Sequence, residues 1–238
     1  MPSKFRLFAG PNGSGKTFLF NFLKENNYIH TEIYISADRI EKTLKEKMSF
    51  NFNAYRISTT EIEFKEYIKK SSLYKKVPTD LMNDFNIEKG VLSFNEKQDK
   101  INSYHAAFIA QYLVDKLFET KQSFCFESVI SHPSKIDIVQ KAKEYGYESY
   151  LYFIYTEDVD LNILRVKLRT QYGMHDVPVE KIKSRFLKSF KVMKEILNVV
   201  DNAYIINNSN EMKIVLQKKD NKILPHLPFQ GIIKKYLA

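Results

Sequence analysis

The sequence predicts an α/β fold: a three-layer arrangement around a mostly parallel five-stranded sheet, with a helical insertion and a C-terminal hairpin. Three observations carry this. Short apolar or β-branched runs alternate with longer stretches of helical periodicity, the pattern of parallel strands joined by helical crossovers. The first strand leads directly into Gly10-Pro11-Asn12-Gly13-Ser14-Gly15-Lys16-Thr17, a full match to G-x-x-x-x-G-K-[ST]. The later strands, at 123–128 and 147–155, are apolar on successive residues, as strands covered on both faces are.

The first strand is Lys4-Phe5-Arg6-Leu7-Phe8-Ala9, and the helix over 18–26 carries Phe18, Leu19, Phe22 and Leu23 on one face. Between them the glycines permit backbone conformations that a side chain forbids. Successive N–H groups then face one concavity, with the positive end of the helix behind them. A polyphosphate is the natural occupant. Lys16 is placed to reach its β- and γ-phosphates, and the Thr17 hydroxyl to complete the shell of a magnesium ion.

The whole chain bounds the reading. Its 238 residues, 44% hydrophobic and 27% charged, suit a single domain over 1–238 with an ample core. No apolar run approaches the roughly 20 residues that cross a bilayer, and the first residues do not form a signal peptide. A cytoplasmic protein without a membrane partner is expected. A single cysteine, Cys125, excludes an intrachain disulfide and a multi-cysteine metal site. The net charge of +9 is spread from Lys4 to Lys235 without a dense basic block. That favours a solvated surface with a pocket for anions over nucleic-acid binding.

Along the chain, residues 31–35 read as strand two, followed by Ser36 as the N-cap of a helix reaching about Met48. Asp38 then lies at the carboxyl end of that strand. Its carboxylate either faces the ligand crevice of a parallel sheet or answers the helix dipole, and spacing alone leaves both readings open. Over 49–99 the pattern changes, with turn signals at Val77-Pro78-Thr79-Asp80 and Glu88-Lys89-Gly90 and a short helix at 61–70. This stretch reads as an inserted substrate lobe or lid. Residues 100–120 return to helical periodicity and carry His105, which reads as a packed or solvated histidine.

The run Ser123-Phe124-Cys125-Phe126-Glu127-Ser128 delivers an acid to the end of a buried strand, because the next helix starts only near Pro133 and closes at Gly146. After strand four, the helix over 159–170 presents Arg165 and Arg169 one turn apart. A turn-rich break, Gln171 to Pro178, precedes a long helix over 179–199 bearing Lys181, Lys183, Arg185 and Lys188. Two basic helices about a turn suit a lid over a γ-phosphate. The fifth strand is 203–207, a hairpin follows at 213–216 and 222–224, and the last helix is 231–237.

The ordered set of Gly10 to Thr17, Ser36-Ala37-Asp38, Phe126-Glu127-Ser128 and Gly173-Met174-His175-Asp176-Val177-Pro178 resembles the zeta toxin family of P-loop kinases. The resemblance implies ATP and magnesium as cofactors and phosphorylation of a hydroxyl on a nucleotide sugar such as UDP-N-acetylglucosamine. It also implies a toxin held by a small helical antitoxin. By position, Asp38 matches the general base, while Lys16 and the rest of the P-loop (Gly10, Pro11, Asn12, Gly13, Ser14, Gly15, Thr17) match the ATP and metal site. Glu127, with Ser128, matches the acid that meets substrate or the metal's water shell. Arg165 or, nearer the lid, Arg169 matches the arginine that neutralises the transferring group, and His175 and Arg185 add charge from the lid. The chain departs from the family at Val129, where a hydroxyl is lost, and at Met174, and the acceptor is where those departures bear. The competing reading is a P-loop regulatory protein that binds ATP or hydrolyses it slowly, acting on nucleic acid as the basic charge allows.

Overall fold

The computed structural model describes residues 2–71, 74, 85–95, 101–171, 176–220 and 222–237. In chain order the elements are β1 (Lys4–Ala9), α1 (Lys16–Glu25), β2 (Tyr34–Ser36), α2 (Ala37–Lys47), β3 (Ser49–Asn51), a 3-10 turn (Phe52–Tyr55), α3 (Glu61–Lys70), β4 (Phe85–Glu88), β5 (Val91–Phe94) and α4 (Ser103–Glu119). Then follow β6 (Phe124–Ser128), α5 (Ser134–Glu144), β7 (Glu148–Tyr155), α6 (Val159–Gln171), α7 (Val179–Val199), β8 (Asn202–Asn207), β9 (Lys213–Lys219), β10 (Lys222–Pro225) and α8 (Gly231–Leu237). They form two compact units, Met1–Tyr34 with Lys121–Ala238, and Ile35–Thr120. The second unit is wider than the stretch 49–99 marked as an insertion from sequence.

The first unit is built on a sheet ordered β10-β9-β8-β7-β1-β6, with β2 beside β6 beginning at Tyr34. β6, β1, β7 and β8 are parallel, and β9 and β10 continue the sheet antiparallel. The expected five strands therefore become seven. The C-terminal hairpin does not stand apart, because β9 pairs with the outer edge of β8 and satisfies backbone groups that would otherwise be bare.

In register, Phe8 of β1 faces Glu127 on one side and Tyr152 on the other, and Tyr152 faces Tyr204. One result is a row of stacked rings: Phe8 on Tyr152 at 4.8 Å and Tyr152 on Tyr204 at 5.2 Å. That face packs with Leu19, Phe20 and Ile29, on and just after α1. Phe153 and Tyr155, on alternate positions, instead meet Phe190 of α7 edge-on at 5.3 and 5.5 Å, and Phe190 stacks on Tyr236 of α8. Each fully buried ring contributes about 1.5–3 kcal/mol of transfer free energy. The last turn of α7 is closed from β9: the buried Lys218 donates Nζ to the carbonyls of Leu197 and Val200 at 2.9 and 2.7 Å.

The insertion over 49–99 was expected to be helical, and among its described residues it also holds a three-stranded antiparallel sheet, β3-β5-β4. The turn signal at Glu88-Lys89-Gly90 is the hairpin between β4 and β5. Lys89 and Gly90 have φ of 49° and 75°, the paired left-handed residues of a tight hairpin turn. The strands are only four residues long, too short to separate from loop by periodicity. Phe52, Phe64, Phe85 and Tyr112 form this unit's aromatic core. His105 is packed as expected: it is buried, and its Nδ1 accepts the Asn102 N–H at the start of α4. Val77-Pro78-Thr79-Asp80 lies outside the described residues.

Candidate functional site: a phosphate-binding loop and its supports

β1 ends at Ala9 and α1 begins at Lys16, so the whole glycine-rich octapeptide is the connection between them. Gly10, Gly13 and Gly15 have φ of 147°, 74° and 101°. Space is as limiting as conformation. A Cβ on Gly10 would lie 2.0 Å from the Ile154 carbonyl oxygen, and one on Gly13 would lie 2.5 Å from that of Asn162. Gly15 occupies the N-cap of α1, and no side chain caps the first turn. The N-terminal end of the helix thus opens on the loop, where first-turn N–H groups suit an anion.

Lys16 is buried and bends back over the loop, its Nζ donating to the carbonyls of Gly10 at 3.2 Å and Pro11 at 2.9 Å. Ser14 Oγ and Asn12 Oδ1 are buried without a hydrogen-bond partner among the described residues. A buried hydroxyl with no acceptor is costly unless a ligand supplies one, and a phosphate oxygen is of the right chemistry. The cradle thus fits a polyphosphate.

Thr17 and Glu127, 110 residues apart, are brought together: Thr17 Oγ1 donates to Glu127 Oε2 at 2.7 Å. β6 delivers the carboxylate because it runs parallel beside β1 and ends level with it, Ala9 facing Ser128. Tyr34 adds a second hydroxyl to the same Glu127 oxygen. Nothing in the sequence singled out this tyrosine. Hydroxyl and carboxylate oxygens are the donors a hard cation such as magnesium selects, so this corner fits the metal the motif implies.

Two further residues support the loop from behind. Asn162 of α6, fully buried, accepts from Thr156 Oγ1 and donates Nδ2 to the Asn12 carbonyl. Asn208, just past β8, donates Nδ2 to the Ser14 carbonyl at 2.8 Å and its own N–H to Tyr155 O at 2.7 Å. Arg165 then fixes Asn208 in turn, its guanidinium donating to the carbonyls of Asn208 at 2.8 Å and Ser209 at 3.3 Å. Sequence reading missed both asparagines; no motif or periodicity marks a side chain that works on distant backbone.

The remaining predicted residues are placed as follows. Arg169 lies one turn beyond Arg165 on α6, half-buried, with Nε and Nη2 shielded from solvent. Arg185 is half-buried on α7, and Ser128 half-buried at the end of β6. Asp38 belongs to the second unit and sits, half-buried, in the first turn of α2; Ser36 holds the N-cap position there without a side-chain hydrogen bond. Gly173, Met174 and His175 lie outside the described residues.

The fold and the loop define an α/β protein of the P-loop class. Over residues 94–224, just over half of its length, the sequence matches the zeta toxin family, and the chain belongs to that family. The matched stretch begins well after Thr17, so family and P-loop are independent signals. No curated protein matches the sequence. Among solved structures, the fold is similar to the AvrRxo1-ORF1:-ORF2 complex determined with ATP. The identity is 14% and the TM-score 0.61, covering 95% of this chain and 61% of that one. It is also similar to a chain of the PezAT chromosomal toxin–antitoxin system of Streptococcus pneumoniae, with 14% identity, a TM-score of 0.51, and coverage of 90% and 70%. This chain spans about three fifths of the AvrRxo1-ORF1:-ORF2 chain it matches. No helix among the described residues is long and apolar enough to cross a membrane.

Proposed function

We propose that the protein is an ATP-dependent kinase that transfers the γ-phosphate to a hydroxyl of a nucleotide sugar of the UDP-N-acetylglucosamine type. The observation that carries this reading is the Thr17–Glu127 hydrogen bond beside a buried Lys16. It sets a carboxylate and a hydroxyl at the mouth of a polyphosphate cradle, where chemistry on a terminal phosphate needs a cation held.

Lys16 and the N–H groups of the loop hold the phosphates, with Ser14 Oγ supplying a further donor. Thr17, with Glu127 behind it, would hold magnesium, which would supply positive charge against that of the phosphates. Arg165, whose guanidinium donates to the carbonyls of Asn208 and Ser209, is the alternative to Arg169 for neutralising charge on the bound phosphates. Arg169, with His175 and Arg185 from the lid, neutralises the transferring group. Glu127 and Ser128 also meet the acceptor. Asp38, by its place in the family motif, takes the proton of the attacking hydroxyl, and positioning matters more than basicity for so loose a transition state. The similar structures, one a two-protein complex and one from a toxin–antitoxin system, support a protein partner that restrains the activity.

The test is incubation with magnesium, γ-labelled ATP and a panel of nucleotide sugars and nucleosides. Label is expected on a nucleotide sugar, and Asp38→Ala is expected to lower transfer by roughly 10²–10⁴-fold while ATP still binds. ATP binding without label on any acceptor would leave a regulatory ATP-binding protein in place of a kinase. Full transfer by the Asp38 variant would remove the base assignment.

A further inference from the structure

Tyr34 reaches the site from outside the P-loop motif. Its hydroxyl donates to Glu127 Oε2, the oxygen that also accepts the Thr17 proton. Its ring is 7% exposed and held on two sides: it stacks on Phe20 at 3.8 Å and 25°, and meets Phe8 at 6.4 Å and 65°. Those supports belong to the site's own framework. Phe20 lies on α1 three residues after Thr17, and Phe8 is the register partner of Glu127 across β1 and β6. Hydroxyl donor, carboxylate acceptor and tyrosine are thus tied to the same three elements.

A hydroxyl has one proton and two lone pairs. The Thr17 proton is committed to Glu127, which turns its lone pairs away from the carboxylate, the state in which such an oxygen ligates a hard cation. A glutamate held by one hydrogen bond swings about three rotatable bonds, and when it leaves, the Thr17 hydroxyl is free to turn its proton toward the phosphates. A second donor on a buried, stacked ring removes that freedom. We propose that Tyr34 is a positioning residue for the divalent cation: by holding Glu127 Oε2 against Thr17, it keeps the Thr17 lone pairs presented to magnesium. The inference rests on the magnesium–nucleotide reading of the P-loop given above. It assigns Tyr34 no contact with nucleotide or acceptor.

The experiment is a magnesium titration of the full chain with a fluorescent ATP analogue, read as nucleotide binding and not as turnover. Tyr34→Phe removes only the hydroxyl and keeps the stack on Phe20. Without metal, its affinity for the analogue should stay within about twofold of the parent, whereas the magnesium concentration for half-maximal enhancement should rise about tenfold, the usual lower cost of losing an outer-shell partner. Glu127→Ala should show a shift at least as large, and adding Tyr34→Phe to it should change nothing further, since the tyrosine acts only through the carboxylate. An unchanged magnesium response in Tyr34→Phe, or a shift that persists in full on the Glu127→Ala background, overturns the inference. A parent protein whose nucleotide binding ignores magnesium overturns the reading beneath it, and this inference with it. Tyr34→Leu, which also loses the stack, reports the packing contribution separately as a lowered thermal midpoint.

Discussion

Asn208 donates its side-chain amide to the Ser14 carbonyl at 2.8 Å, fastening the loop after β8 to the phosphate loop 194 residues earlier in the chain. Gly15 lies against the same side chain, where a Cβ would come within 2.4 Å of Asn208 Nδ2. The phosphate loop is thus shaped by its own glycines and also by an external amide that fixes where its carbonyls point, which in turn fixes where the neighbouring N–H groups point.

Asn208→Ala should therefore cost about 1 kcal/mol of stability, the net worth of one such bond, and weaken ATP binding several-fold by loosening the cradle. Urea unfolding and titration with an ATP analogue measure the two. Unchanged affinity together with unchanged stability would mean that the loop keeps its shape unaided.

Gly10→Ala places a Cβ 2.0 Å from the Ile154 carbonyl at a φ of 147°. Ile154 is locked by its register with Ile206 on β8 and cannot yield. The expected loss is at least ~1–3 kcal/mol, with nucleotide binding abolished. Gly146→Ala is the control: its φ of 78° is also left-handed, but nothing lies within 4 Å of the added carbon. That substitution should cost only the conformational strain, about 1–2 kcal/mol, and leave nucleotide binding intact. Equal effects of the two on binding would refute the steric account.

Arg169→Ala should lower turnover more than it weakens ATP binding, because the proposed contact strengthens as charge develops on the transferring group. Equal losses in kcat and in nucleotide affinity, measured side by side, would reassign Arg169 to ground-state binding.

Glu63 of α3 and Lys116 of α4 form an ion pair at 2.5 Å. Burial opposes ionisation of Glu63, but the Lys116 ammonium prevails and its pKa lies below the ordinary 4.5. The carboxylate of Glu63, and less strongly that of Glu119, raises the pKa of Lys116 above the ordinary 10.5 against the opposing effect of burial. The depressed carboxylate contributes stability that is present above pH 4.5 and lost as pH falls through its lowered pKa. The raised ammonium contributes stability that is present below pH 10.5 and lost as pH climbs through its raised pKa. Both side chains reach solvent, so the contribution is within about 1 kcal/mol. Glu63→Gln should flatten the acid limb of a stability-against-pH curve below pH 4.5, and an unaltered slope would show that the pair contributes nothing.

Residues that act through local pattern were readable in advance. The P-loop announces itself because glycine freedom, a following helix and a Lys-Thr pair are all local. The bounds of α7, Val179–Val199, follow from 3.6-residue periodicity between Pro178 and the next strand, and the closing Gly146, with φ of 78°, ends α5 as a left-handed stop. Glu127 was legible because an acid ending an apolar strand has few local purposes. The β3-β5-β4 sheet was not, since its strands are three and four residues long and β3 takes its stability from partners such as Ser93 opposite Ser49, far along the chain.

By itself, the sequence determined a loop suited to phosphate chemistry and the α/β frame, because both depend on what neighbouring residues allow the backbone to do. Tertiary structure alone decided which side chains support that chemistry: Tyr34 on Glu127, Asn162 on Asn12, Asn208 on Ser14, Arg165 on Asn208 and Ser209. It also decided that the terminal hairpin would extend the sheet to seven strands. These are single contacts between elements distant in the chain. Such a contact depends on where two strands or helices come to rest, and that is set by the packing of the whole core and not by the residues beside it.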